Sequence, residues 1–276
     1  MNPVHSGVVV TGASSGIGLA ACRRLAAHGF RVFGTVRRLE DGAALRQMGA
    51  TAVLLDVTDR TSIRAARDQI STLLAGAPLA GLVNNAGISG AGPLELTDLD
   101  EFRRMFEVNT LGAVTVTQEF LPLLKAAPGR IVNISSISGR IAPPFMAPYA
   151  ASKFALEAVS DCLRYELHPF GIAVVVIEPG IIHTPIWRKG AERDLGPVRN
   201  TPYEEVITKM RDYAASVDER AIPPSRVADA ILHALTTRRP ESRILVVRNR
   251  LFFTLIALFP DRVRDRRIIR RLWGKP

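Results

Sequence analysis

Cysteine is scarce in this chain, with Cys22 and Cys162 the whole supply among 276 residues. Both fall within apolar helical patterns, so neither a disulfide framework nor a zinc site with paired ligands is expected, and a reducing compartment is. The five histidines form no metal-ligand pattern, and no metal is expected. Long hydrophobic runs are also missing. The longest near the end, Leu251 to Pro260, is about half the ~20 residues that a bilayer span requires. No transmembrane helix is therefore expected. The start, Met1-Asn-Pro-Val-His-Ser-Gly7, enters a strand almost at once and has no basic segment followed by a long apolar one, so no signal peptide is expected. Internal repeats and low-complexity segments are lacking too. Together these exclusions point to a cytoplasmic protein.

What is present is apolar mass: 47% of the residues are hydrophobic and 22% charged, enough for one sizeable core in one domain. The formal charge of +10 is uneven, because the segment from Arg262 to Lys275 carries seven of the basic residues. Such a tail meets anionic lipid or nucleic acid, or forms a solvated helix face that closes one end of the domain. It lacks interleaved aromatics and any recognition motif, so no nucleic-acid partner is expected.

Taken in order, the chain alternates. Gly7-Val-Val-Val-Thr-Gly12 reads as a strand, Thr11-Gly-Ala-Ser-Ser-Gly-Ile-Gly18 as a glycine-rich turn, and Leu19 to Gly29 as a helix with a glycine stop. Glycines let a backbone approach a pyrophosphate, and a helix N-terminus offers it free N–H groups and a positive dipole end. A second strand, Arg31 to Val36, leads into Arg37 and Arg38. An acidic residue there would hold a ribose 2'-hydroxyl, whereas an arginine suits a 2'-phosphate. NADP(H) is favoured over NAD(H), unless Arg37 is only a surface charge.

Further units follow: a helix near Asp41 to Met48, the strand Thr51 to Leu55 ending in Asp56, a helix from about Asp59 to Leu74, and the strand Ala80 to Asn84 with Asn85-Ala-Gly87 after it. A long helix is expected from Asp98 to about Lys125 with Asn109 in its middle. Asparagine is a poor interior helix residue, because its amide competes for backbone groups. Strands Gly129 to Ser136 and Ile172 to Ile177 come next, then Glu178-Pro-Gly180, a loosely patterned stretch over 185–222 placed as a substrate lid, a helix Pro223 to Leu235 and a last strand Arg243 to Val247. This pattern predicts an α/β fold, a doubly wound parallel sheet of about seven strands with helices on both faces and ligands beyond the carboxyl ends of the strands.

Between Ser136 and the helix that ends near His168 lies Tyr149-Ala-Ala-Ser-Lys153. Residues four apart stack on one helix face. A phenol needs a downward shift of roughly three units to act near neutrality, and an adjacent ammonium shifts it in that direction. Pro148 suits the first helical position, where a missing N–H does no harm.

The ordered set Thr11-Gly-x-x-x-Gly-x-Gly18, Asn84-Asn-Ala-Gly87, Asn109, Ser136, Tyr149-x-x-x-Lys153 and Pro179-Gly-x-x-x-Thr184 resembles the short-chain dehydrogenase/reductase family over about residues 7 to 250. The stretch Pro144 to Leu156, with Ile182-His-Thr184, more closely resembles its hydroxysteroid and retinol dehydrogenase branch. The resemblance implies a single Rossmann domain over 1–250 and an extension over 251–276. It implies Tyr149 as general acid/base, Lys153 lowering its pKa and binding the nicotinamide ribose, Ser136 holding the substrate oxygen, and Asn109 holding a water that links Lys153 to solvent. Gly12, Ser14, Gly16, Ile17 and Gly18 would carry the pyrophosphate and its flanking ribose. Arg37, with Arg38 beside it, would carry the 2'-phosphate, and Asp56 and Val57 the adenine. Asn84, Ala86 and Gly87 would meet the middle of the cofactor, and Pro179, Gly180, Ile182 and Thr184 the carboxamide end. Ser15, not a basic residue, precedes the second glycine, so one NADP-specifying charge of the family is absent. A homodimer or homotetramer built through the two long helices is implied as well.

The expected activity is hydride transfer between NADP(H) and a lipophilic alcohol or ketone, steroid-like or retinoid-like, because Ile141, Pro143, Pro144, Phe145, Met146, Ile181, Ile186 and Trp187 flank the catalytic set. The competing reading is a nucleotide-binding or sensing protein of the same fold without turnover. His183 stands next to Thr184, either near substrate or simply at the surface. The apolar block Leu251 to Phe259 before the basic tail could pack on another subunit, touch a membrane surface, or close over the substrate.

Overall fold

The computed structural model describes residues 6–184, 196–216 and 221–274. Seven strands form one sheet, all pairs parallel: β1 (Gly7–Val10), β2 (Arg31–Val36), β3 (Thr51–Leu54), β4 (Leu79–Asn84), β5 (Arg130–Ile134), β6 (Ala173–Pro179) and β7 (Arg243–Val246), in the order β3-β2-β1-β4-β5-β6-β7. Near-continuous apolar runs suit strands covered on both faces. Alternation along each strand divides the core in two. Val8, Val10, Val83 and Val132 face one helical layer, and Val9, Leu82 and Ile131 face the other. Each such side chain fully buried stabilises the fold by about 1.5–3 kcal/mol.

The first layer holds α1 (Gly16–Ala27), α2 (Ala43–Gln47) and α8 (Pro224–Thr236), through Leu25, Leu45 and Ile231. The second holds α3 (Arg60–Leu74) and α5 (Gly112–Ala126), through Ile63, Ile70, Phe120 and Leu124. Asp59 caps α3 by accepting from the Thr61 N–H at 2.8 Å. The sheet order reverses direction between β1 and β4, which opens a crevice at their carboxyl ends.

The single long helix expected from Asp98 is three pieces in line: α4 (Leu99–Phe106), a π turn over Glu107–Leu111, and α5. The extra residue of the wide turn carries Asn109 inward, where it is 1% exposed. Single π turns recur at functional sites for this reason. Helix α6 (Ala147–Glu166) begins one residue before Pro148, and a 3-10 turn over His168–Phe170 follows it.

Of the expected lid, residues 185–195 and 217–220 lie outside the described residues, and with them Ile186 and Trp187. The described part holds a 3-10 turn at Gly196–Val198 and helix α7 (Glu204–Ala215). The two ends of the stretch are tied together, since the Ile222 N–H donates to the Ile181 carbonyl and the His183 N–H to the Ile222 carbonyl, both at 2.9 Å. Beyond β7 come α9 (Arg250–Leu258), capped by Asn249, and α10 (Asp261–Trp273).

Candidate active site

One cavity of about 320 Å³ runs along the carboxyl edge of the sheet. Its floor is the turn after β1. Gly12 and Gly16 hold positive φ (64° and 55°), a conformation open to glycine at no steric cost. Ser14, Ser15, Gly16 and Ile17 line the cavity, and Ser15 makes no side-chain cap bond to α1, so the first N–H groups of that helix open onto the floor. Gly18 lies beneath it. A Cβ there would stand 2.4 Å from the Gly12 carbonyl oxygen and 2.6 Å from Asn85 Nδ2, so its role is close packing under the turn.

At one end the cavity is lined by Arg37, Asp56, Val57 and Arg104. Asp56 Oδ1 accepts from the Thr58 N–H at 2.9 Å and from the Thr58 hydroxyl at 2.7 Å. Desolvation pushes its carboxyl up, but those hydrogen bonds and the charges of Arg37 and Arg104 outweigh it and leave its pKa below the ordinary value. Arg37 has no hydrogen-bond or ion-pair partner among the described residues. Arg38, grouped with it on sequence, is turned away. Its guanidinium grips Asp41 at 3.0 and 3.1 Å and lies 3.6 Å from Glu40, because a carboxylate three residues on is within easy reach of the fork. Arg104, on α4, is a cation at this end that sequence reasoning missed, since only the fold brings it near Asp56, just after β3.

Asn84, expected at the middle of the cofactor, has its side chain bonded elsewhere. Its side chain is buried among β4, β5 and α5, donating to Thr117 Oγ1 and Asn133 Oδ1, each at 2.9 Å. It does not line the cavity. Its neighbour Asn85 does, and pins the switch point by donating to the carbonyls of Thr11 at 2.8 Å and Gly12 at 3.1 Å. The Thr11 hydroxyl accepts in return from the N–H groups of Asn85 and Ala86. Ala86 and Gly87 line the wall beyond.

At the other end stand Ser136, Met146, Tyr149 and Lys153, facing Pro179, Gly180, Ile181, Ile182 and Thr184. Lys153, 5% exposed, donates to the Ile134 carbonyl at 2.9 Å and lies 5.9 Å from the centre of the Tyr149 ring. Burial pulls its pKa down to about 8, against a smaller upward pull from Glu157. Burial pushes the Tyr149 phenol up, and a hydrogen bond with Ser136 pulls it partly back. The downward shift expected of the phenol is therefore not found. Desolvation penalises the charged form of both groups, and the ammonium is bonded to a carbonyl rather than to the phenol.

Asn109 does not line the cavity but backs it. Its amide clamps the main chain of Ile88, accepting from the N–H at 2.8 Å and donating to the carbonyl at 2.9 Å, and it also donates to Ser152 Oγ at 3.0 Å. Ser152 in turn donates to the Tyr149 carbonyl at 2.7 Å. Sequence reasoning passed over Ser152, whose place inside the Tyr-x-x-x-Lys spacing was the available signal. The π turn thus ties the cavity wall at Gly87 and Ile88 to the first turns of α6.

The family model for short chain dehydrogenase matches residues 6–194. The chain belongs to the short-chain dehydrogenase/reductase family. It is 36% identical over 267 residues, 94% of each chain, to an NADPH-dependent 3-dehydrocapnine reductase of Ornithobacterium rhinotracheale. It is 36% identical over 251 residues, covering 86% of this chain and 79% of the other, to retinol dehydrogenase 5 of Mus musculus. Among solved structures, a short-chain dehydrogenase from Streptomyces avermitilis superposes with a TM-score of 0.81 at 32% identity, covering 96% of both chains. This short-chain dehydrogenase/reductase is accordingly an NAD(P)-dependent oxidoreductase acting on CH–OH groups, with the single-domain Rossmann fold of its relatives.

The residues present fit a nicotinamide dinucleotide. The uncapped helix terminus and glycine turn suit a pyrophosphate, Arg37 is a cation lining the far end, and a tyrosine, a serine and a lysine converge at the near end.

Proposed function

We propose that this enzyme prefers NADP(H) and moves a hydride between it and a lipophilic alcohol or ketone, steroid-like or retinoid-like, with Tyr149 as the general acid/base. The observation that carries the proposal is the placing of Ser136, Tyr149 and Lys153 at one end of a cavity whose other end holds Arg37. When bound, the nicotinamide supplies or takes the hydride, and the protein's own groups orient the reactants and handle the proton.

In this reading Ser136 positions the substrate oxygen and Tyr149 protonates it in reduction or deprotonates it in oxidation. Lys153 offsets the negative charge that grows on the phenol and holds the nicotinamide ribose. Asn109 fixes the wall and, through Ser152, the start of α6. Gly12, Ser14, Gly16 and Ile17 cradle the pyrophosphate over Gly18, Arg37 takes the 2'-phosphate with Arg104 close by, and Asp56 and Val57 meet the adenine. Ala86 and Gly87 border the middle of the cofactor, and Pro179, Gly180, Ile182 and Thr184 its carboxamide end.

The preference for an apolar substrate is supported by Met146 and Ile181 in the lining and by Phe145 meeting Tyr203 of the lid stretch edge-on at 6.1 Å. The names of the two relatives, a retinol dehydrogenase and an NADPH-dependent reductase, agree with the substrate class and the cofactor. Residues 185–222 act as the substrate lid, residues 1–250 as the catalytic domain, and assembly into a dimer or tetramer uses the α4–α5 and α6 surfaces. The test is substrate-dependent oxidation of NADPH and of NADH across a panel of apolar and polar carbonyl compounds. Turnover faster with NADPH and with apolar ketones supports the reading, and tight NADPH binding with no turnover on any compound overturns it.

A further inference from the structure

The two C-terminal helices do not line the cavity, yet they hold many exposed apolar and cationic side chains. On α9, Leu251, Leu255 and Leu258 recur at one helical face with Phe252 and Phe259 beside them. All five are exposed, Leu251 by 71% and Leu258 by 75%. On α10 the helical period places Arg264, Arg266, Arg267, Arg270 and Arg271 on one side, and Ile268, Ile269, Leu272 and Trp273 on the other. Ile269 and Trp273 are again exposed. The contiguous stripe on α9 is more than scattered surface apolar residues explain.

We propose that α9 and α10 form a docking surface for an anionic membrane, lying in its lipid–water interface. Charge complementarity selects this occupant. Positions 250 to 275 hold seven arginines and one lysine against two aspartates, more than half of the chain's formal +10. Arg264 pairs with Asp261, but Arg262, Arg266, Arg267, Arg270 and Arg271 have no acidic partner among the described residues. Arg267 instead lies over the Phe259 ring at 5.4 Å, which joins the apolar stripe of α9 to the cationic side of α10. Among the described residues no helix is long and apolar enough to cross a bilayer. A short apolar face beside an arginine-rich one is the composition that lies in the headgroup region, leucines and phenylalanines toward the acyl chains and guanidinium groups on the phosphates. A second copy would bring an equally cationic face, and a nucleic acid would leave the apolar stripe in water.

The orientation follows from the fold. Helix α9 starts four residues after β7 ends at Val246, and the Val246 carbonyl accepts from the Gly180 N–H at 2.9 Å. Gly180 lines the cavity. The docking surface therefore leaves the sheet at the same edge on which the cavity lies. Docking itself does not depend on the proposed substrate or on turnover.

The experiment is co-flotation of the full-length protein with vesicles of phosphatidylcholine alone and of an equal mixture of phosphatidylcholine and phosphatidylglycerol. The protein is expected to float at least about tenfold more with the anionic vesicles and to be released by high salt. A Leu255→Glu/Leu258→Glu variant and an Arg266→Glu/Arg270→Glu variant should each lose flotation while keeping wild-type NADP(H)-linked activity and melting temperature. Equal binding to both vesicle types, or none to either, overturns the proposal. So does a sedimenting dimer that Leu255→Glu/Leu258→Glu splits in the absence of lipid, which would make the stripe a subunit interface. Flotation needs no turnover, so its failure is distinguishable from failure of the oxidoreductase reading.

Discussion

Lys153 donates a 2.9 Å hydrogen bond to the main-chain carbonyl of Ile134, the last residue of β5. That bond holds the ammonium beneath the phenol, and burial draws its pKa down from 10.5 to about 8. A lysine depressed in the folded state works against folding while it is charged. Between about pH 8 and 10.5 the unfolded chain holds a proton that the folded one has lost, so wild-type stability rises with pH across this window. At pH 7 the burden reaches about 3 kcal/mol at 1.36 kcal/mol per unit. Lys153→Met is expected to be inactive yet more stable than wild type in urea at pH 7, by up to about 3 kcal/mol, with the gap narrowing by pH 10. A variant less stable at both pH values would show that the Ile134 bond outweighs the buried charge.

Glu157, one turn beyond Lys153 and buried, is expected to set the position of the pH profile. Its Oε2 accepts from Arg243 at 3.1 Å and its Oε1 has no partner, while its charge raises the Lys153 pKa against desolvation. Glu157→Gln removes that charge, so Lys153 deprotonates at lower pH and the alkaline limb of carbonyl reduction moves toward acid. Glu157→Asp should restore part of the shift. An unmoved limb would confine Glu157 to holding Arg243.

At the other end of the cavity, the two adjacent arginines should behave differently. Loss of a charge-assisted hydrogen bond of about 1.5–3 kcal/mol predicts that Arg37→Ala raises the KM for NADPH roughly 10- to 150-fold and leaves that for NADH unchanged. Arg38→Ala, which only releases Asp41, should change neither. Steady-state kinetics with both cofactors decides, and equal effects of the two substitutions would contradict the assignment.

Asn84 should prove structural. With its amide bonded to Thr117 and Asn133 inside the core, Asn84→Ala is expected to lower stability by about 1–3 kcal/mol through the partners left unpaired, and to leave the KM for NADPH unchanged in the protein that folds. A rise in that KM without loss of stability would restore the sequence-based role.

Much of this architecture was legible because it depends on local patterns. Buried β runs, glycine stops and the alternation of strands with helices required a parallel doubly wound sheet, and all seven strands were placed within a few residues. Asn109 stood out as a misfit inside a helix, and the π turn is the physical answer to that misfit. What escaped depends on distant partners or on direction. Arg104 reaches the cavity only because the fold brings it near Asp56, and Ser152 matters only through Asn109 across the helix pair. The facing of Asn84 was in principle readable, since side chains alternate along β4 and Leu82, two residues earlier, faces the layer of α3 and α5. The phenol's upward shift was not readable, because burial depth, which decides its sign, is a property of the folded core.

The most direct measurement is turnover by Tyr149→Phe with NADPH and an apolar ketone that wild type reduces, alongside NADPH affinity by fluorescence titration. The account predicts a fall in kcat of roughly 10²–10⁴-fold with affinity unchanged. Turnover comparable to wild type would contradict Tyr149 as the proton donor.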